Sequence, residues 1–269
     1  MDGGSEQMDA FIAAAEAAID AAGAVIRPHF RAGLAADLKS DASPVTVADR
    51  AAEQAMRVVL AERFPDHAVL GEEFGQEAAG GQNALAGFCW VLDPIDGTRA
   101  FITGRPVFGC LAALLHDGVP MLGVIDQPVT GERWIGAAGR PTIFRGPFGG
   151  VVGCRPCHGL ATAELSCTST EVFDDIDIKA WDRLRLSVRR TSFGGDCYAY
   201  GLVALGQIDI VAEATMQIWD WAALVPVIEG AGGRLTDWQG APLSAASDGH
   251  TLAVGDPALL GPALALLAS

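Results

Sequence analysis

The chain has 269 residues and a formal net charge of −15, an acidic balance that disfavours polyanions; with no basic patch of the nucleic-acid-binding type, nucleic acid is excluded as a partner. Half of the residues (50%) are hydrophobic, enough for a large core, yet no apolar run reaches the ~20 residues that cross a bilayer.

Met1 to Gln7 is polar and acidic, without the basic and apolar segments of a secretory signal, so a cytoplasmic protein is expected. The six cysteines are then expected to stay reduced. Helical spacing runs from Met8 to about Ala32 through Phe11, Ala15, Ala18, Ile19, Ala22, Val25 and Ile26, with Gly33 as a stop. After a polar segment with turn residues, Asp37 to Pro44, a second helix is predicted from Thr46 to about Arg63, with Thr46 as its N-cap. Ala68-Val69-Leu70 reads as a short strand delivering Gly71-Glu72-Glu73, and the Gly- and Ala-rich stretch Gln76 to Gly87 as a mobile loop.

The apolar run Phe88 to Leu92 reads as a buried strand that ends in Asp93-Pro94-Ile95-Asp96-Gly97-Thr98. Pro94 stiffens this turn, and Gly97 lets backbone approach a ligand. Two carboxylates three residues apart at a strand end suggest hard-cation ligands, with the Ile95 carbonyl exposed between them and a phosphate site alongside. The spacing fits neither an EF-hand loop nor an aspartyl nucleophile pair two residues apart. Strands at Val107–His116 and Pro120–Asp126, joined by Asp117-Gly118, and a third at Glu132–Ala137 predict an antiparallel meander.

Gly139 to Gly153 is rich in Gly and Pro and marks a soft boundary between lobes 1–145 and 146–269 of one compact unit. Beyond it strands and helices alternate: strand Ala163–Thr168, helix near Ile176–Leu184, strand Arg189–Ser192, helix Cys197–Leu205, strand Ile208–Ala212. A helix at Asp220–Gly230, short strands at Arg234–Asp237 and Leu252–Val254, and a terminal helix at Ala258–Leu267 complete an α/β lobe. Taken alone, Asp220 reads as the N-cap of its helix, Asp49 as an exposed helical residue and Asp196 as a cap of the helix starting near Cys197.

Taken together, these pieces resemble the inositol monophosphatase-like, magnesium-dependent phosphatases. The matching segments are Leu70-Gly71-Glu72-Glu73, Trp90 to Thr98, and Trp219-Asp220-Trp221-Ala222-Ala223, with Asp49 following Ser43-Pro44-Val45-Thr46. The resemblance implies a layered αβαβα sandwich. It also implies two or three Mg²⁺ ions held by Glu72, Asp93, Asp96, Asp220 and the Ile95 carbonyl. Gly97 and Thr98 would offer N–H groups to the phosphate, and Thr98 and Asp49, with Glu72, would act on the attacking water. Glu213 matches a position contacting the rest of the substrate. A homodimer and a small phosphorylated substrate are implied as well.

Two segments depart from the inositol-type pattern: Thr98-Arg99-Ala100-Phe101 and Gly194-Gly195-Asp196-Cys197-Tyr198-Ala199-Tyr200. Both look like the histidinol-phosphate phosphatases of the superfamily. An ammonium and an imidazole on the alcohol would suit an acidic partner such as Asp196. The expectation is therefore hydrolysis of L-histidinol phosphate, with inositol monophosphatase or a broad sugar-phosphate phosphatase as the alternative. Arg99 could bind phosphate or pair with a surface carboxylate. Cys154-Arg155-Pro156-Cys157-His158 fits a haem-attachment pattern, but lacks an obvious second axial ligand, and His29, His67, His116 and His250 read as surface or capping residues.

Overall fold

The computed structural model describes residues 3–33, 37–38, 44–77 and 85–268. The predicted turn over the rest of 37–44 and most of the predicted loop at 76–87 lie outside them. Helix α1 spans Gly3–Ile26 and stops earlier than its apolar spacing suggests, because Pro28 sits in a following 3₁₀ turn, Arg27–His29. Its stripe of Phe11, Ala15, Ala18, Ile19, Ala22 and Ile26 is buried. A two-residue ladder pairs β1 (Asp37–Leu38) with β2 (Pro44–Val45). Helix α2 follows at Val47–Arg63; Thr46 caps it and Asp49 closes a capping box by accepting the Thr46 N–H.

The first sheet has seven strands: β3 (Ala68–Gly71), β4 (Gly75–Glu77), β5 (Phe88–Asp96), β6 (Gly109–His116), β7 (Val119–Gln127), β8 (Glu132–Ala137) and β9 (Ile143–Arg145). Their order is β4-β3-β5-β6-β7-β8-β9. Strands β6 to β8 form the expected antiparallel meander, which β5 and β9 extend on either side, while β3 lies parallel to β5. Strand β4 falls in the stretch read as a loop, and β9 in the stretch read as a boundary; both are edge strands of three residues, too short to alternate visibly. A short helix, α3 (Thr98–Ile102), follows β5. Period-two alternation along β5 sends Trp90 and Leu92 to the core under α1 and α2, and Cys89 and Val91 to the opposite one.

The second sheet has order β11-β10-β12-β14-β13. It comprises β10 (Glu164–Cys167), β11 (Arg190–Phe193), β12 (Ile210–Glu213), β13 (Arg234–Thr236) and β14 (Thr251–Val254), connected through α4 (Asp177–Ser187), α5 (Asp196–Ala204), α6 (Ile218–Trp221) and α7 (Leu224–Gly230), with α8 (Leu260–Leu267) at the end. β10 is parallel to β11 and β12, and β14 is antiparallel to β12 and β13. The single helix predicted at Asp220–Gly230 is two, α6 and α7: Pro226 lacks the N–H that would bond the Ala222 carbonyl. The N-cap of α6 is Gln217, and Asp220 stands three residues in, accepting the Gln217 N–H at 2.7 Å.

Five layers result. Helices α1 and α2 cover one face of the first sheet. Helices α5, α6 and α7 share a core with its other face and with β12 and β14, and α4 and α8 cover the outer face of the second sheet. A Cβ on Gly123 would stand 2.0 Å from the Ala223 carbonyl oxygen, and one on Gly136 2.3 Å from Pro226 backbone. Only glycine lets the α6–α7 segment pack this closely on β7 and β8.

Candidate active site

Strand β5 is hydrogen-bonded to β6 until Asp93, then shifts register before Asp96. That irregularity turns the chain end outwards from the core. Asp93 is buried and accepts the Ile95 N–H at 3.0 Å. Gly97 takes φ +84°, a left-handed conformation that opens α3. Carboxylate oxygens of Asp93, Asp96 and Asp220 all lie within 4.8 Å of one another. Asp220 comes from α6, more than a hundred residues away in the chain, and its capping-box bond orients it. Glu72 follows β3; its N–H donates to the Leu92 carbonyl at 3.1 Å, which binds its loop to β5 one residue before Asp93.

Electrostatics show how closely these acids are packed. Burial, then the charges of Glu72, Asp96 and Asp220, raise the Asp93 carboxyl well above its usual range. Burial also lifts Asp96 to about 6, against the hydrogen bonds from Cys197 and with help from Glu72. Clustered carboxylates, Asp93 buried and Asp96 and Asp220 half-buried, with an all-oxygen donor set fit a hard divalent cation, which would relieve their repulsion. Glu72, Asp93, Asp96, Asp220 and the Ile95 carbonyl could hold it.

Asp49, expected from its local sequence to be exposed, is buried. Its Oδ2 accepts both the N–H (2.8 Å) and the hydroxyl (2.5 Å) of Thr46. Thr98 Oγ1 donates to Asp49 Oδ1 at 3.3 Å and to the Ile95 carbonyl at 3.2 Å. A hydroxyl and a buried carboxylate therefore stand in hydrogen-bond contact beside the acidic cluster. Burial raises the Asp49 carboxyl, partly offset by the Thr46 bonds.

A cleft of about 550 Å³ is lined by Glu72, Gly97, Thr98, Arg99, Arg105, Glu171 and Asp196 among others. Asp196 lies directly on Gly97: a Cβ there would be 2.7 Å from the Asp196 Cγ. Asp196 is not a helix cap. It is the first residue of α5, at φ +43°, and the N-cap position is held by Gly195, which has no side chain to cap the helix. The Cys197 N–H instead donates to Asp96 Oδ2 at 2.6 Å. Burial and the nearby Asp96 push Asp196 up to about 7, against Arg105 and Arg99. Glu213 ends β12, fully buried, and its Oε1 accepts the Thr168 N–H at 2.7 Å. It lines a second, smaller pocket of about 140 Å³ with Asp96, Asp196 and Asp220. Burial raises it to about 8, against the Thr168 bonds.

Arg99 pairs with the exposed Glu171 at 2.9 Å. Arg105 Nη2 donates to the Gly194 carbonyl at 2.8 Å. Sequence reasoning missed Arg105 and Glu171, since neither carries a local signal beyond its charge. It misplaced two histidines. His67 stacks between Phe64 and Phe88, and His250 lies 2.9 Å from both Asp177 and Asp248 and against Trp238. All six cysteines are free, and Cys154 and Cys157 make separate contacts with backbone carbonyls. No helix among the described residues is long and apolar enough to cross a membrane.

Residues 7–264 match the model of the inositol monophosphatase family. The chain is 47% identical over 234 residues to the bifunctional phosphatase IMPL2, chloroplastic, of Arabidopsis thaliana, covering 87% of this chain and 66% of that protein. It is 40% identical over 231 residues to a histidinol-phosphatase of Mycobacterium tuberculosis, covering 82% of this chain and 85% of that one. Among solved structures, an inositol monophosphatase from Zymomonas mobilis superposes with a TM-score of 0.85 at 47% identity, over 96% of this chain and 97% of that one.

Proposed function

The chain belongs to the inositol monophosphatase family of phosphatases, and from that premise we propose that it is a Mg²⁺-dependent phosphomonoesterase acting on L-histidinol phosphate. The observation that carries the substrate class is the Asp196 carboxylate lying on Gly97, inside the cleft and next to the turn proposed to take the phosphate. An alcohol bearing an ammonium and an imidazole finds a charge partner there; one bearing only hydroxyls does not need it. A 40% identical relative that is a histidinol-phosphatase supports the same reading. The 47% identical inositol monophosphatase structure favours inositol 1-phosphate as the second reading.

In this reading residues 1–145 supply Asp49, Glu72 and the Asp93–Thr98 turn, and residues 146–269 supply Asp196, Glu213 and Asp220. Glu72, Asp93, Asp96, Asp220 and the Ile95 carbonyl would hold two or three Mg²⁺ ions. Bound cations would neutralise phosphoryl charge and lower the pKa of a water molecule. The N–H groups of Gly97 and Thr98 orient the phosphate. Thr98 Oγ1 accepts a hydrogen bond from the attacking water while its own proton points to Asp49 Oδ1, which can take it. Glu72, beside the cluster, holds the same water from the other loop. Asp196 and Glu213 face the alcohol. A homodimer in the cytoplasm goes with this proposal; the exposed Val119 and Ile143 of the first sheet suit a subunit contact.

Steady-state kinetics with Mg²⁺ on histidinol phosphate, inositol 1-phosphate and a sugar phosphate tests the substrate. A higher kcat/KM for inositol 1-phosphate would reverse the order of the two readings. Full turnover in excess EDTA would remove the cation from the proposal.

A further inference from the structure

Helix α2 carries two buried carboxylates on one face, Asp49 and, one turn later, Glu53. Asp49 reaches Thr98. Glu53 reaches the loop that bears Glu72, and no role described above uses it. Its Oε2 accepts the Glu73 N–H at 2.7 Å, and its Oε1 accepts the Phe74 N–H at 3.3 Å and Arg57 Nε–H at 2.8 Å. A Cβ on Gly71 would lie 2.1 Å from Glu53 Oε1. The carboxylate is therefore pressed against loop backbone on both sides of Glu72. Arg57 extends the clamp: Nη2 donates to the Gly75 carbonyl at 2.6 Å, and Nη1 lies 3.2 Å from Glu77.

We propose that Glu53 is a positioning residue for the divalent-cation site: by fixing the backbone of Gly71–Phe74 it sets where the Glu72 carboxylate stands relative to Asp93 and Asp96. The inference rests on the cation-dependent reading above. Physical reasons favour a carboxylate here. Three donors converge on Glu53, and only an acceptor-only group takes all three; glutamine would turn its NH₂ towards one of them. Part-buried loop N–H groups left without their acceptor cost free energy, so the loop would move. Arg57 neutralises the charge that Glu53 adds. One helix face thus registers two loops against each other: Asp49 holds the turn after β5, and Glu53 the turn after β3.

Calorimetric titration of Mg²⁺ into the full chain tests this with Glu53→Gln. Loss of a residue supporting a metal ligand costs about 10–100-fold in metal affinity, and that weakening is expected. The Mg²⁺ concentration for half-maximal activity should rise by the same factor, with kcat at saturating Mg²⁺ largely kept. In cation-free protein the Glu73 and Phe74 amides should exchange with solvent faster than in the wild type. Gly71→Ala, which forces Glu53 away from the loop side, should give the same shift and serves if Glu53→Gln does not fold. Asp209→Asn, at the opposite end of β12 and paired with Arg155, should leave Mg²⁺ affinity unchanged. Unchanged affinity in both loop-clamp variants, or a fall in kcat alone, overturns the role of Glu53. No Mg²⁺ binding by the wild type would instead overturn the cation reading.

Discussion

Asp96 Oδ2 accepts the backbone N–H of Cys197 at 2.6 Å. A carboxylate at the end of β5, itself a member of the acidic cluster, thereby caps the first turn of α5, a helix of the other sheet's half. The bond spans 101 positions of sequence and holds the Gly194–Asp196 turn against Gly97. The cluster and the wall proposed to face the alcohol are joined through one side chain, so changes in either should be felt in the other.

Asp93→Asn should separate function from stability. The folded chain holds the Asp93 proton more tightly than the unfolded chain, because burial and then Glu72, Asp96 and Asp220 raise its carboxyl well above 3.8. Its stabilising contribution is therefore full below that value and is lost as pH rises through the folded one. Asparagine keeps the bond to the Ile95 N–H but cannot ionise. In cation-free buffer at pH 7 the variant should melt higher than the wild type. Its activity should fall by more than the about 10–100-fold that outer-shell changes cost. A lower melting temperature together with full activity would contradict both halves.

Asp49→Asn should reverse one hydrogen bond. The two Thr46 donors require an acceptor at the Oδ2 position, so the amide oxygen goes there and the NH₂ faces Thr98 Oγ1. Thr98 then accepts where it had donated, and its proton has no base. A fall in kcat of about 10²–10⁴-fold is expected with little change in KM. Initial rates across substrate concentration measure it, and an unchanged kcat would leave Asp49 as a structural cap alone.

Asp196→Asn should change selectivity. Asparagine tolerates the left-handed φ of +43° at this position, so the turn is kept and only the charge is lost. Charge-assisted hydrogen bonds contribute about 1.5–3 kcal/mol, equivalent to about 10–100-fold in kcat/KM for histidinol phosphate. Turnover of an aryl phosphate should be little affected. Equal loss on both substrates would assign Asp196 to packing against Gly97.

Glu213 makes a pH prediction. Burial raises its carboxyl from 4.5 to about 8, against the Thr168 bonds. The folded state binds the proton more tightly, so this contribution to stability is full below about pH 4.5 and falls as pH rises to about 8. Urea midpoints for Glu213→Gln should vary less between pH 5 and pH 8.5 than those of the wild type. Parallel pH profiles for the two proteins would show that Glu213 is not the group responsible.

Local sequence was sufficient for the elements whose signal repeats. The apolar stripe of α1, the Thr46 cap of α2, the continuous apolar run of β5 and the meander behind it follow from periodicity and turn chemistry, and β5 runs into its two carboxylates as its pattern says. The motif resemblance carried the layered architecture further than periodicity could. What tertiary structure decided are relations between distant segments. Thr98, which opens α3, reaches the buried Asp49 of α2, and Asp220 is brought to Asp93 where the chain just after α6, at Ala223, packs on Gly123. The capping role that Asp196 has when its local sequence is read alone falls to Asp96, because two halves of the chain close on Gly97. Period and propensity act over a few residues, whereas desolvation and charge repulsion depend on which segments share a volume. Only the folded chain brings those segments together.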